Sequence, residues 1–190
     1  MRKTGLTIIL LLLCISIGYG QDDRPLSTKV YYKFSHKGNI YSFGGKFPVN
    51  NNTNCIMDVI YDFDHLKKFM LDVDSVELIR KDSNYYEVRY SYHKLFLKAK
   101  TTFRRVLNKE QRIVTSEMIG HDQNSILFPK PLASHGYYRI KEDKTGCWFE
   151  YFRECEIEPK SLDGLYFYIA EKEAINHLYT IKEYIEKTCP

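Results

Sequence analysis

Apolar and polar residues alternate with a period of two over much of segment 73–158. The clearest case runs from Tyr86 to His93, where apolar or aromatic residues occupy every second position. This alternation places one set of side chains on each face of a strand. The segment therefore predicts a run of antiparallel strands that are half buried.

The end of the chain changes to a helical period. Over residues 162–189, the apolar positions recur every three or four residues, which is typical of an amphipathic helix. These positions are Phe167, Ala170, Ala174, Leu178, Ile181 and Ile185. Charged residues occupy the opposite side, so we expect one face of a long terminal helix to be buried.

Shorter elements precede this region. Strands are predicted over residues 29–34 and 40–48, with a turn signal between them. A helix with Ile56, Ile60 and Phe63 on one face comes next, followed by a second short helix over residues 64–70. These elements together predict an α+β domain.

Two places interrupt the alternation. Its phase flips at His93 and Lys94, which predicts a turn or a bulge. Residues 123–132 form an apolar segment that contains Pro129 and Pro131. This segment is either a lid over a cavity or a connection between strands.

The first residues have the pattern of a secretory signal peptide. Arg2 and Lys3 precede an apolar run that is too short to span a bilayer, and Gly18 and Gly20 are small residues ahead of a cleavage site before Gln21. We expect a signal peptide over 1–20, a flexible lead over 21–28 and one domain over 29–190. The mature protein would then be secreted or periplasmic. An uncleaved membrane anchor is the alternative.

The composition is nearly neutral and rich in aromatic rings. The formal net charge is +4 and falls to +2 without Arg2 and Lys3, and basic and acidic residues are interleaved. We therefore expect no nucleic-acid partner. The 16 Tyr and 11 Phe residues suit a β-rich protein, in which Tyr side chains either pack sheets or line a pocket.

Four cysteines lie beyond the signal peptide. Cys147 and Cys155 are roughly 26 Å apart on one predicted strand, so they cannot bond to each other within it. Cys55 starts one predicted helix and Cys189 ends another, and we favour a Cys55–Cys189 disulfide that would tie the chain terminus to the body. Four unpaired cysteines are the alternative.

The chain resembles the START-like superfamily, also called SRPBCC. Residues 56–70 resemble its pattern of spaced apolar residues, an Asp and a short amphipathic helix. Residues 117–120 and 135–140 resemble its passage of strand, glycine, loop and glycine-aromatic pair. Asp74 departs from the pattern, because it is charged where a strand begins. The resemblance covers residues 40–189, and its motifs are topological, not catalytic.

The resemblance implies a helix-grip fold: a curved antiparallel sheet wrapped around a long C-terminal helix, with two short helices after the first strands. It also implies an internal cavity wherever that helix does not pack tightly. We expect a secreted, bacterial-type protein that binds or transports a hydrophobic or amphipathic small molecule or lipid. We expect a monomer with at most transient membrane contact. A cyclase-like or hydrolase-like enzyme and a filled-core module that binds partners are the alternatives.

Most candidate ligand-binding residues are aromatic. The candidates are Tyr90, Tyr92, Met118, Tyr138, Phe149, Tyr151, Arg153 and Phe167. By alternation, Arg153 falls on the apolar face of its strand, where it would need an anionic partner from the protein or from a ligand. A bulge that turns Arg153 outward, or a pair with an acid such as Glu117, would remove that need.

Catalytic motifs are absent from the sequence. The six His residues lack metal-ligand spacing, and there is no phosphate-loop, dinucleotide or Gly-x-Ser-x-Gly motif. We expect no metal, no cofactor and no catalytic residue, and whether the protein is an enzyme stays open. His121 and Asp122 form a candidate pair at the mouth of the cavity.

Overall fold

The structure is a computed structural model that describes residues 30–49, 52–70, 73–94, 97–124, 128–144, 146–159 and 163–190. The predicted signal peptide and lead lie outside these residues. The helices are α1 (Thr53–Tyr61), α2 (Phe63–Phe69) and α3 (Asp163–Thr188). The strands are β1 (Tyr31–Lys37), β2 (Ile40–Val49), β3 (Ser75–Lys81), β4 (Tyr85–Lys94), β5 (Leu97–Asn108), β6 (Ile113–Gln123), β7 (Pro131–Asp143) and β8 (Gly146–Ile157).

The strands form one curved antiparallel sheet in the order β1-β2-β8-β7-β6-β5-β4-β3. The last strand of the chain, β8, therefore lies between β2 and β7. The helix α3 follows β8 directly in the chain. This arrangement confirms the α+β helix-grip fold. Among the described residues, no helix is both long and apolar enough to cross a membrane.

The structure corrects the predicted boundaries at Phe63 and at the start of β7. Phe63 begins α2 and is not part of the first helix, because Asp62 adopts an extended conformation with ψ of 135° and breaks the helical path. Strand β7 begins at Pro131, inside the segment 123–132 that interrupts the alternation. Its first residues are poor strand formers, and pairing with β8 keeps them extended.

Gly136 allows β7 and β8 to approach closely beside the paired residue Arg153. A Cβ atom at Gly136 would lie 2.3 Å from the carbonyl oxygen of Phe152, and a real side chain cannot come that near to backbone. The absence of a side chain at Gly136 therefore permits the close spacing of β7 and β8, the strands that carry Ser134 and Arg153.

The C-terminal half of α3 packs directly on the sheet. Leu178, Ile181 and Ile185 are buried in the main core. The close fit extends to Gly45 in β2, where a Cβ atom would lie 2.4 Å from Cδ2 of Leu178. A side chain at Gly45 would collide with Leu178, which shows that the helix lies against the surface of the sheet here.

The end of α3 is also held by a covalent bond. Cys189, just after the helix, forms a disulfide with Cys55 in α1, with Cα atoms 5.8 Å apart. This is the pairing favoured by the sequence. Cys147 and Cys155 are buried and unpaired.

The N-terminal end of α3 is held by aromatic packing. Phe167 is 6% exposed and belongs to a small second core with Cys155 and Ile157. Its ring stacks on His36 at a centroid distance of 4.5 Å and meets Tyr41 edge-on at 6.0 Å. The helix is thus attached to the sheet at both ends.

Loss of the disulfide should lower the free energy of unfolding by about 2–4 kcal/mol, because the bond closes a long loop in the unfolded chain. Its cysteines are 134 positions apart. Urea unfolding of a Cys55→Ala, Cys189→Ala variant checks this. Reductant should lower the midpoint of the wild-type protein and leave that of the variant unchanged. Equal midpoints for oxidised and reduced wild type would show that the bond does not stabilise the fold.

Candidate functional site

A cavity of about 380 Å³ lies between the N-terminal half of α3 and the sheet. Ala170 and Ala174 face it from the helix, at positions of the same apolar seam that Leu178 and Ile181 continue. The alanines are too short to reach the strands, whereas the larger residues fill the space further along. The size of the seam residues therefore decides where the interior is packed and where it is open.

Six of the eight candidate residues line this cavity: Tyr90, Tyr92, Met118, Tyr138, Tyr151 and Arg153. The other two lie outside it. Phe149 stacks on Phe47 at 4.8 Å in the packed half of the core, and Phe167 attaches the start of α3 to the sheet. Contact between the six lining residues and a ligand remains a prediction.

Arg153 points into the cavity and is held there by neutral groups. Its Nε donates a hydrogen bond to Tyr151 Oη at 3.1 Å, and its Nη1 donates to Ser134 Oγ at 3.3 Å. Its guanidinium carbon lies 4.8 Å from the centroid of the Phe103 ring. The regular pairing of Arg153 with Phe43 excludes a bulge that would turn it outward.

Arg153 has no ionic partner in the described part of the chain. Glu117, the acid proposed from the sequence, is exposed, and no carboxylate of a described residue lies within ion-pair distance of the Arg153 guanidinium. An Arg side chain is always charged in proteins. The cavity wall therefore holds a cation that only hydroxyl groups and an aromatic face contact.

Four tyrosines of the cavity lining stay protonated at neutral pH. Burial raises the pKa of Tyr151 to about 12 and also raises the pKa values of Tyr41, Tyr90 and Tyr92. These residues supply hydroxyl groups for hydrogen bonding but no negative charge. They cannot neutralise Arg153.

His177 of α3 closes the deep end of the cavity. Its Nε2 and the Tyr138 hydroxyl form a hydrogen bond of 2.9 Å. Burial, together with the positive charges of Arg153 and Arg105, lowers the pKa of His177 to about 3. The imidazole is therefore neutral at physiological pH.

A second arginine, which is fully buried, lies outside the cavity lining. Arg105 is 1% exposed, donates a hydrogen bond to the Ile60 carbonyl, and has no partner for its Nε among the described residues. Its guanidinium carbon is 5.1 Å from the centre of the Tyr138 ring. The deep end of the cavity thus lies near two guanidinium groups, and no described carboxylate pairs with either.

A chain of hydrogen bonds joins lining residues of the cavity that come from β5 and β6. Gln123 donates through Nε2 to the Phe128 carbonyl at 2.9 Å, which leaves its Oε1 to accept from His121 Nε2 at 3.2 Å. Burial lowers the pKa of His121. In the neutral ring, Nδ1 then accepts from the Thr101 hydroxyl at 2.8 Å. His121 thus bonds to Thr101 and Gln123, whereas Asp122, its candidate partner, is exposed.

The segment that was predicted as a lid or a connection is a connection between strands, and several of its described residues line the cavity. It joins β6 to β7, and Phe128 and Pro129 line the cavity. Residues 125–127 lie outside the described part. Among the described residues, no group of three or more His, Cys, Asp or Glu side chains could hold a metal ion.

Several polar residues of the site were missed by the sequence analysis. Arg105 could have been found, because it continues the inward positions of β5 after Thr101 and Phe103. His177 lies three residues after Ala174 and beside the apolar seam, a weaker signal. Ser134 had no signal, since the residues around it do not alternate.

Solved structures resemble this fold over most of the chain at low sequence identity. A STAR-related lipid transfer protein from Xanthomonas axonopodis has a TM-score of 0.62 and 10% identity, with 86% of this chain and 97% of that chain covered. The Zhui aromatase/cyclase from Streptomyces sp. R1128 has a TM-score of 0.59 and 12% identity, with 83% and 95% covered. A START superfamily protein from Mycobacterium smegmatis has a TM-score of 0.58 and 7% identity, with 79% and 99% covered.

No protein-family model and no curated protein matches the sequence. The structural similarity shows that the chain has the START-like fold, as the sequence resemblance indicated.

Acid should destabilise the protein through His177. An unfolded His titrates near about 6.5, whereas the folded value is about 3, so the unfolded state binds a proton that the native state excludes. The free energy of unfolding should fall as the pH is lowered from about 6.5 towards 3, by up to about 1.4 kcal/mol per pH unit. Urea unfolding across this range measures the slope.

The variant His177→Gln should lose this part of the slope. His93→Gln serves as the control because His93 is exposed at the end of β4, and it should keep the wild-type slope. An unchanged pH dependence in His177→Gln would show that the imidazole is not buried in its neutral form.

Proposed function

We propose that this START-like helix-grip domain binds and carries a hydrophobic or amphipathic small molecule or lipid in the cavity beneath α3. The observation that carries the proposal is the cavity, whose volume of about 380 Å³ is within the range of small-molecule sites, about 300–1,000 Å³. Its walls are mostly aromatic and aliphatic, with a few polar groups, as expected for a ligand with a large apolar surface.

The solved structures with a similar fold support this class of ligand. They include a protein named as a lipid transfer protein and another named as an aromatase/cyclase. Identities of 10% and 12% carry the fold and not the individual ligand.

The state of the titratable groups favours a carrier over an enzyme. A general acid or base works best with a pKa near the operating pH. Here the pKa of His177 is lowered to about 3 and that of Tyr151 is raised to about 12, so both move away from neutrality. The filled-core alternative has no support, because the alanines of α3 leave open space.

We place the carrier outside the cytoplasm, as a monomer with at most transient membrane contact. The signal-peptide pattern of residues 1–20 supports this location. The Cys55–Cys189 disulfide also supports it, because such bonds persist in oxidising compartments.

Filling the cavity should abolish binding without unfolding the protein. N-phenyl-1-naphthylamine, a neutral fluorescent probe, should bind the wild-type protein saturably. In Ala174→Phe, the added ring occupies the space beneath α3, so we expect at least about a tenfold weaker affinity. Fluorescence titration measures the affinity, and thermal unfolding shows that the variant is folded.

Ala133→Phe is the matched control, because Ala133 is exposed and outside the cavity lining. It should bind the probe like the wild type. A folded Ala174→Phe variant with unchanged affinity, or no saturable binding by the wild type, would overturn the proposal.

Export should remove residues 1–20. When the full chain is expressed in a host with a secretory pathway, the exported protein should begin at Gln21, as measured by intact mass. Leu11→Arg places a charge in the apolar run and should prevent export. Protein that stays in the cytoplasm with an intact N-terminal segment would contradict the proposed location.

A further inference from the structure

We infer that the ligand carries a carboxylate, which binds the guanidinium of Arg153, and that the rest of the ligand is apolar. This inference rests on the proposed function and adds the chemical class of the ligand. It follows from the charge of the cavity wall rather than from its size.

A half-buried cation without a counter-charge is costly to retain. Burial of a charge is unfavourable unless an opposite charge and hydrogen bonds compensate it. Arg153 donates to the neutral oxygens of Tyr151 and Ser134, and its Nη2 has no hydrogen-bond partner among the described residues. At least one strong donor therefore remains available to a molecule in the cavity.

Among the described residues, no carboxylate is within ion-pair distance of the Arg153 guanidinium. Glu117 is exposed, and burial raises the pKa of Tyr151, which accepts a hydrogen bond from Arg153, to about 12. Glu173 lines the same cavity but is engaged in other interactions. Arg105 adds a second positive charge behind Tyr138, so the electrostatic potential at this end favours an anion.

The groups around Arg153 suit a carboxylate. A guanidinium offers parallel N–H donors that match the two oxygens of a carboxylate. The hydroxyls of Ser134 and Tyr151 accept hydrogen bonds from Arg153 and orient it, and each hydroxyl retains a hydrogen that can be donated. A charge-assisted contact of this kind would supply the compensation that the protein lacks.

The remaining walls suit one apolar chain or a compact ring system. Phe103 and Met118 lie on the cavity wall with Arg153, together with Tyr90 and Tyr92. The volume of about 380 Å³ is at the low end of small-molecule sites, which favours one chain over two. The ligand class is therefore a single-chain or compact amphiphile with a carboxylate at one end.

The first test compares two probes on the wild-type protein. Dodecanoate and dodecan-1-ol have the same chain length and differ in the charged group. We expect dodecanoate to displace N-phenyl-1-naphthylamine at neutral pH with at least about tenfold higher affinity than dodecan-1-ol.

The outcomes separate this inference from the proposed function. If dodecan-1-ol binds as tightly as dodecanoate, or if the naphthylamine binds and neither compound displaces it, the carboxylate inference is wrong and the carrier proposal stands. If none of the three compounds binds, the carrier proposal itself fails.

The second test changes Arg153. In Arg153→Gln, the dissociation constant for dodecanoate should rise about tenfold or more, while that for dodecan-1-ol should change less than about threefold. Arg153→Lys keeps the charge and should retain part of the preference for dodecanoate. Retained binding of dodecan-1-ol shows that the cavity of each variant is intact.

Arg104→Gln is the matched control, because Arg104 is next to Arg105 in the chain but pairs with Glu87 at 2.8 Å on the opposite face of the sheet. It should bind both compounds like the wild type. An Arg153→Gln variant that still prefers dodecanoate to the wild-type extent would overturn the inference.

Discussion

The cavity depends on the attachment of α3 to the sheet at two separate places. Phe167 fixes one end by aromatic packing, and Leu178, Ile181 and Ile185 fix the other half by close contact. Between them the apolar seam continues with alanines. A helix is stiff, so the stretch with the alanines cannot bend towards the strands. The volume that larger side chains would fill therefore remains as a cavity.

The same stretch collects polar groups that do not improve packing. Arg153, Arg105 and His177 lie around Tyr138, and no described carboxylate pairs with either arginine. Such an arrangement is unfavourable for the stability of the empty protein, and proteins keep unfavourable groups of this kind mainly where function requires them. Under the proposed function, stability and ligand recognition are therefore opposed at this one place in the fold.

Periodicity predicted most of the elements, because the half-buried strands and the amphipathic helix α3 each bury one face and expose the other. Alternation gives the face of a strand but not whether the helix packs against that part of it, so it could not show that Phe149 lies outside the cavity lining. The start of β7 and the position of Ser134 depend on pairing with β8, which no local pattern records. Arg105 was missed although the alternation of β5 contains it.

The two attachments of α3 differ in kind. The far end is closed by a covalent bond, Cys55–Cys189, whereas the end near the cavity relies on ring contacts around Phe167. Stacked rings separate at far lower cost than a bond breaks. A displacement of α3 that widens the space beneath it would therefore separate the rings around Phe167 first, and the five residues between the end of β8 and the start of α3 would limit how far that end can move.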